Sequence, residues 1–594
     1  MMKFPRLDRE SFFLALSIQD FSVSPDEKQL IYSTNLNGTY NIWGMDLPNQ
    51  YPYQLTTMNQ ACFHLSFDKQ GEFILTNFDH DGDENEQIYA LSRLGGSLVP
   101  LRNQEGVRHM EPILSKDGKR LYYTSNKENK TMLSSFVYDL ETEKEKMLFD
   151  GKEAPTTLCA VSPEEKYFVY FLHFSNTNNQ LIIDTDGEIN NVFPETKRDF
   201  TVGNVKFINN HTFYFTTNFE EDVSYLASYD VHTKTFKKVA HLQDFEMESL
   251  DWDEERNRLF ISGTSGVVSR LCSYDLKEQQ LNEIDLPVTF LLKFMVMDSG
   301  NCYVLGNTET SLGNIYRLKE GSWTKLTNHR LIGIDEKALR KAETVRYQSF
   351  DGLEIEALYY KANPETHNGY TLVWPHGGPQ YHEQKSFISF FQLAIYEGYN
   401  LFLPNFRGST GYGLQFTKMI EKDWGHGPRL DMIHGIEWLI ETGRAEKERI
   451  FLFGGSYGGY MSLLLHGRHA YYFQAVVDIC GPSNLFSFIN SVPEHWKPGM
   501  EEWLGHPEKD KEKLTEDSPI SYLDNMTKPM MIVQGANDPR VVKEESDQIV
   551  EKLRAQGTEV EYIVMEDEGH GFSKKENEIK VFSRIFDFFK ENQK

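Results

Sequence analysis

The sequence predicts two architectures joined end to end: a seven-bladed β-propeller over residues 19–328, then a domain built on a mostly parallel sheet over 329–594. A short helical segment at 1–18 is expected to pack on the second domain. Two observations carry this. The first half repeats one strand-turn-strand-loop-strand unit seven times, and after about Asn328 short apolar runs alternate with helical stretches.

The repeat shows when FSVSPDEKQLIYSTNLNGTYNIWGMDL, from Phe21, is set beside FHLSFDKQGEFILTNFDHDGDENEQIYAL, from Phe63, and LDWDEERNRLFISGTSGVVSRLCSYDL, from Leu250. Each copy has an apolar strand, an acidic or Asn turn, an alternating strand such as 30–34, a loop and a third strand. Equivalent turn positions are Asp26, Asp68, Asp117, Glu164, Asn209, Asp253 and Asp298, spaced by 42 to 49 residues. That is the period of a four-stranded propeller blade. Period-2 alternation and many β-branched and aromatic residues exclude a helical repeat of similar length.

In the second half a helix is expected over 335–342, then strands at 344–350 and 353–360 around Asp351-Gly352. Apolar runs follow at 371–374, 400–403, 450–453, 475–479, 529–533 and 560–565. Strands alternating with helices give a mostly parallel sheet, with chemistry at the carboxyl ends of the strands.

Composition removes several functions. A formal charge of -27 on 594 residues argues against nucleic-acid binding, because phosphates would be repelled. No apolar run approaches a membrane span. The amino-terminal residues do not read as a secretory signal. Cys62, Cys159, Cys272, Cys302 and Cys480 are scattered without metal-ligand spacing, which suits buried thiols of a reduced, cytoplasmic compartment. No cofactor and no metal is expected. The acidic run from Asp79 to Glu84 lacks the spacing of a calcium loop and reads as a solvated hairpin loop of the second blade.

The chemistry gathers at FLFGGSYGGYM, 451–461. Gly454-Gly455-Ser456-Tyr457-Gly458 reads G-x-S-x-G, the nucleophile elbow in which a serine sits on a strand-to-helix turn. An elbow serine on this fold needs an Asp or Glu and then a His, in that chain order. Asp538 follows the apolar run 529–533, and His570 follows 560–565; no histidine lies between Asp538 and His570 or beyond it. An oxyanion hole needs two backbone donors. His376-Gly377-Gly378-Pro379, after the third strand, offers one, and the residue after the nucleophile, Tyr457, offers the other. The second domain is therefore expected to be an α/β hydrolase with Ser456 as nucleophile.

A seven-bladed propeller before a hydrolase carrying GGSYGGY, ANDPRVV and DEGHGF resembles the prolyl oligopeptidase family of serine peptidases, over essentially the whole chain. HGGP is similar to the acylaminoacyl peptidase branch, since other branches place a tyrosine where this chain has His376. The resemblance implies an oxyanion hole from the Gly378 and Tyr457 amides, and a structural ion pair at Arg407. It also implies that Arg540 binds a substrate carbonyl, with a purely structural salt bridge as the alternative. Leu485, Phe488 and Ile489, with Phe486 and Trp496, are candidates for an apolar substrate pocket or for core. Glu220-Glu221 could hold a substrate amine, as glutamate pairs do in dipeptidyl peptidases, or could be an ordinary charged loop. The resemblance implies release of N-acylated residues from short or unfolded peptides, with the propeller screening size. Dipeptidyl peptidase, carboxylesterase and a non-catalytic propeller scaffold remain alternatives, and homo-oligomerisation is left open.

Overall fold

The structure is a computed structural model that describes residues 8–594. Seven four-stranded antiparallel sheets, at 18–54, 65–102, 109–150, 156–191, 202–240, 246–284 and 290–325, form the seven blades. Most of the repeated turn residues tie their own hairpins. Asp68 Oδ1 accepts the Glu72 and Phe73 amides at 2.7 and 2.9 Å, and Asn209 Oδ1 accepts those of His211 and Thr212, both at 2.8 Å. A short polar side chain satisfies backbone donors that the ladder leaves over, which is why the same residue type recurs there. The ring closes without exchanging a strand. Phe21, Leu30 and Tyr32 of the first blade bury against Tyr303, Leu305 and Ile315 of the seventh, and Tyr303 donates to Glu27 at 2.6 Å.

The second domain is an eight-stranded sheet: β1 (Glu343–Gln348), β2 (Glu354–Tyr360), β3 (Thr371–Val373), β4 (Asn400–Pro404), β5 (Ile450–Gly455), β6 (Val476–Ile479), β7 (Met530–Gly535) and β8 (Val560–Met565), in the order β1-β2-β4-β3-β5-β6-β7-β8. From β4 to β8 every pairing is parallel. The apolar runs bury both faces. Val373, Phe402 and Leu452 face helices Gly427–Glu441 and Tyr457–His469, while Leu372, Leu401, Phe451 and Phe453 face Ser389–Tyr396 and Lys575–Glu591. A strand buried on both sides loses its polar alternation. Arg407 forks onto both Asp351 and Asp431, with contacts of 2.8 to 3.1 Å, so the β1–β2 turn is locked to helix Gly427–Glu441.

The helix expected over 335–342 is a single 3-10 turn, Glu336–Ala338. The Gln392 side chain accepts from Arg340 N at 3.0 Å and donates to Arg340 O at 2.8 Å. Backbone groups satisfied from outside need no helix, and the chain runs straight into β1. Of the expected segment 1–18, the first seven residues lie outside the described residues. Glu10–Phe13 is one helical turn, with Phe13 stacked on Phe582 at 5.3 Å and Arg9 paired to Asp587 at 2.7 Å. The domains also meet where Asp222 of the fifth blade accepts the Leu414 and Gln415 amides, at 3.0 and 2.7 Å. Among the described residues no helix is long and apolar enough to cross a membrane.

Candidate active site

Ser456 directly follows β5 and occupies the position just before helix Tyr457–His469, with φ 57° and ψ -123°. A non-glycine residue is costly in that region and persists only when its surroundings hold it. Here the Ser456 amide donates to Ile479 O at 2.8 Å, and glycines let the chain turn back. A Cβ on Gly458 would lie 2.1 Å from Pro375 O, and one on Gly454 would lie 2.2 Å from Gly458 O. The strained turn lifts the hydroxyl above the carboxyl edge of the sheet.

His570 and Asp538 stand at the ends of β8 and β7, and the structure brings all three together. His570 Nε2 lies 2.9 Å from Ser456 Oγ, and Nδ1 lies 2.6 Å from Asp538 Oδ2. Asp538 is held in turn: its Oδ1 accepts the Arg540 and Val541 amides, each at 2.9 Å. With Nδ1–H directed to the carboxylate, Nε2 is the lone-pair nitrogen facing the hydroxyl. Burial disfavours the His570 imidazolium, but the Cys480 and Asp538 side chains against the ring more than offset it, so its pKa is raised.

The HGGP loop passes over the nucleophile. A Cβ on Gly377 would lie 3.5 Å from Ser456 Cβ, and Gly378 follows at φ 118°. His376 is buried and stacks on Phe406 at 4.1 Å, with Nδ1 2.7 Å from Gly377 O and Nε2 2.8 Å from Ser409 Oγ. Burial drives its pKa down to about 3, so the ring is neutral. Tyr457 opens its helix, and the first amides of a helix have no intrahelical acceptor. Its hydroxyl, donating to Trp424 O at 2.7 Å, anchors that end. Of the pocket candidates, Leu485 and Phe488 sit in the core beside Trp424. Phe486, Ile489 and Trp496 are half-buried against it.

The propeller reaches the site through an acidic run expected to be a solvated loop, and through Arg108 and Glu111, which no sequence motif marks. The run Asp79 to Glu84 is not a solvated hairpin. Gly82 abuts Gly569, next to His570, so that a Cβ on Gly82 would lie 2.8 Å from Gly569 N. Glu84 Oε1 pairs with Arg540 Nε at 2.6 Å, and Asp81 with Lys574 at 3.1 Å. Arg108, from the start of the third blade, binds Glu86 through two nitrogens and stands 4.0 Å from Glu84. Asp79 is pushed up to about 6 by burial and by Asp83, Glu86 and Glu84 nearby. Glu111 is exposed, yet the protein crowded around its carboxyl, with Glu86 beside it, raises its pKa despite Arg108. The acidic run was visible in the sequence; that it lies on His570 was not. Glu220 and Glu221 lie elsewhere, on the surface of the fifth blade, paired with Arg198 and Lys238.

Residues 385–594 match the family model described as the prolyl oligopeptidase family. The chain is 23% identical to dipeptidyl peptidase family member 6 of Caenorhabditis elegans, over 98% of this chain and 86% of that protein. It is 38% identical to dipeptidyl aminopeptidase BIII of Pseudoxanthomonas mexicana, over 36% of this chain and 32% of that one. A puromycin-hydrolyzing peptidase of Mycobacterium tuberculosis superposes with a TM-score of 0.86 at 17% identity, covering 98% of this chain and 95% of its own.

Proposed function

We propose that this chain, a serine peptidase that carries the catalytic domain of the prolyl oligopeptidase family, cleaves short peptides near a free amino end. One observation carries the reading. Asp79, Asp83, Glu84, Glu86 and Glu111 crowd together on the part of the propeller that borders His570, where Arg108 pairs with Glu86 and Arg540 with Glu84. A buried ammonium is expensive without a carboxylate partner, and this wall has carboxylate to spare. The relatives named dipeptidyl peptidase and dipeptidyl aminopeptidase support the same reading.

The chemistry follows from the triad. Ser456 Oγ attacks the scissile carbonyl as His570 Nε2 takes its proton, with Asp538 stabilising the imidazolium. Amides of Gly378 and Tyr457 hold the developing oxyanion, a contribution of about 2.7–4 kcal/mol per donor in a well-formed hole. His570 then gives its proton to the leaving amine, and water enters to release the acyl group by the same steps reversed.

The acylaminoacyl reading has its own observation. The Arg540 side chain is 44% exposed, and Glu84 occupies its Nε, so the guanidinium can still meet a neutral carbonyl. The two readings separate in one comparison: kcat/KM for a dipeptidyl p-nitroanilide with a free amine against its N-acetylated counterpart. At least a tenfold advantage for the free amine is expected, which needs only about 1.4 kcal/mol of discrimination. An advantage for the acetylated compound sinks the proposal in favour of acylaminoacyl release.

A further inference from the structure

Cys480 follows β6 directly, is 4% exposed, and has φ 45°. The left-handed backbone is held on both sides: the Cys480 amide donates to Val533 O at 2.8 Å, and the Gly481 amide to Asp478 Oδ1 at 2.9 Å. A side chain in an extended continuation of β6 would alternate across the sheet. The turn instead carries the thiol to the carboxyl edge, against the triad. One ligand atom each from Cys480, Asp538 and His570 lie within 4.8 Å of one another. Among the described residues no other trio of Cys, His, Asp or Glu meets that spacing.

We propose that Cys480, Asp538 and His570 form a binding site for a thiophilic divalent cation of the zinc class, which reversibly switches the peptidase off. The donor set is the argument. Zinc takes thiolate, imidazole and carboxylate at about 2.3, 2.0–2.1 and 2.0–2.2 Å, and three protein ligands with an open fourth position are a common arrangement. Two such bonds span at most about 4.4 Å, so small side-chain rotations close the present spacing around one ion. The thiolate also sets the selectivity: soft ligands favour zinc and cadmium, while magnesium and calcium prefer all-oxygen sites. As the metal–sulfur bond forms, the thiol proton leaves to water and no electron moves. Whichever imidazole nitrogen takes the ion, His570 loses its link either to Asp538 or to Ser456. In both cases the proton path to the serine is cut.

The inhibition half of this inference rests on the triad reading above; the binding half does not, and the experiment keeps them apart. Wild type and Cys480→Ala are titrated with zinc in chelator-buffered solution, each scored against its own metal-free rate on a peptide p-nitroanilide. Cadmium is added separately to Ser456→Ala and to Ser456→Ala/Cys480→Ala, and the thiolate-to-metal charge-transfer absorbance is recorded. Zinc should inhibit the wild type, a chelator should restore it, and magnesium should do nothing. Cys480→Ala should need at least tenfold more zinc, and the cadmium band should fall when Cys480 is removed. Should the alanine variants fail to fold, Cys480→Ser keeps the side-chain size and loses the soft ligand. Equal zinc sensitivity with and without the thiol, an uninhibited wild type, or a cadmium band unchanged by removing Cys480 would each overturn the proposal. If cadmium binding depends on Cys480 but Ser456→Ala still hydrolyses peptides, the metal site stands and the triad reading fails.

Discussion

Glu84 of the propeller grips Arg540 of the catalytic domain through an ion pair of 2.6 Å, two residues beyond Asp538. The contact couples the blade loop that borders His570 to the turn that holds the triad carboxylate, and under the proposed free-amine reading it sets the charge near the substrate's amino end. Glu84→Gln removes one carboxylate and frees the guanidinium, so both changes disfavour an ammonium. The free-amine advantage in kcat/KM should fall at least fivefold in this variant. In the wild type the same advantage should shrink as pH drops through about 6, where Asp79 takes up a proton and no longer attracts a cation. An unchanged ratio in both tests would place the amino end elsewhere.

The pH–rate profile tests the base. His570 must be neutral to accept the serine proton. Its pKa is raised above the ordinary 6.5, with burial opposed and outweighed by Cys480 and Asp538. A raised pKa keeps the ring protonated to higher pH, so activity is lost on the acid side sooner than for a free imidazole. The acid limb of kcat/KM, measured with a p-nitrophenyl ester that lacks an amine, should have its midpoint above 6.5. A midpoint below 6.5 contradicts this.

His376 should act through the loop it holds. Its ring spans Gly377 O and Ser409 Oγ, at 2.7 and 2.8 Å, and so orients the peptide that presents the Gly378 amide. His376→Phe keeps the stack on Phe406 and loses both polar contacts. A drop in kcat of about 10- to 100-fold with little change in KM is expected, since an oxyanion donor is felt mainly in the transition state. A change confined to KM would mean that the ring serves substrate binding instead.

Much of this was legible from local pattern. Ser456, Asp538 and His570 each follow an apolar strand in the order the fold requires, and the turn residues from Asp26 to Asp298 marked each blade, several of them because their side chains cap the hairpin. What depended on distant chain was not legible. Gln392 holds the backbone near Arg340 out of a helix from 52 residues away, and nothing in the local sequence announces it. The run Asp79 to Glu84 looks like any charged loop until Gly82 is seen against Gly569. Arg108 precedes an unremarkable strand and Glu111 sits in it, and Cys480 gains meaning only from a left-handed turn that aims it at the triad.

Arg407 and Asp431 test the framework behind the site. The Asp431 side chain is fully buried and Arg407 is its main counter-charge. Arg407→Ala leaves that carboxylate uncompensated and should cost about 3–5 kcal/mol in chemical denaturation. Replacing both residues, as Arg407→Met/Asp431→Leu, should cost less than the single change, because no buried charge remains. If the double variant is the less stable one, the pair contributes more than mutual neutralisation.

Ser456 must form the covalent intermediate if this chain is a serine peptidase working through the triad. Wild type and Ser456→Ala should be treated with a fluorophosphonate, the adduct located by mass spectrometry, and peptide hydrolysis measured on the same preparations. The predicted result is one phosphonyl group per chain on Ser456, none on the variant, and a loss of kcat/KM of more than about a thousandfold with the fold intact. A label on another residue, or a folded Ser456→Ala protein that still cleaves peptides at a substantial fraction of the wild-type rate, would contradict it.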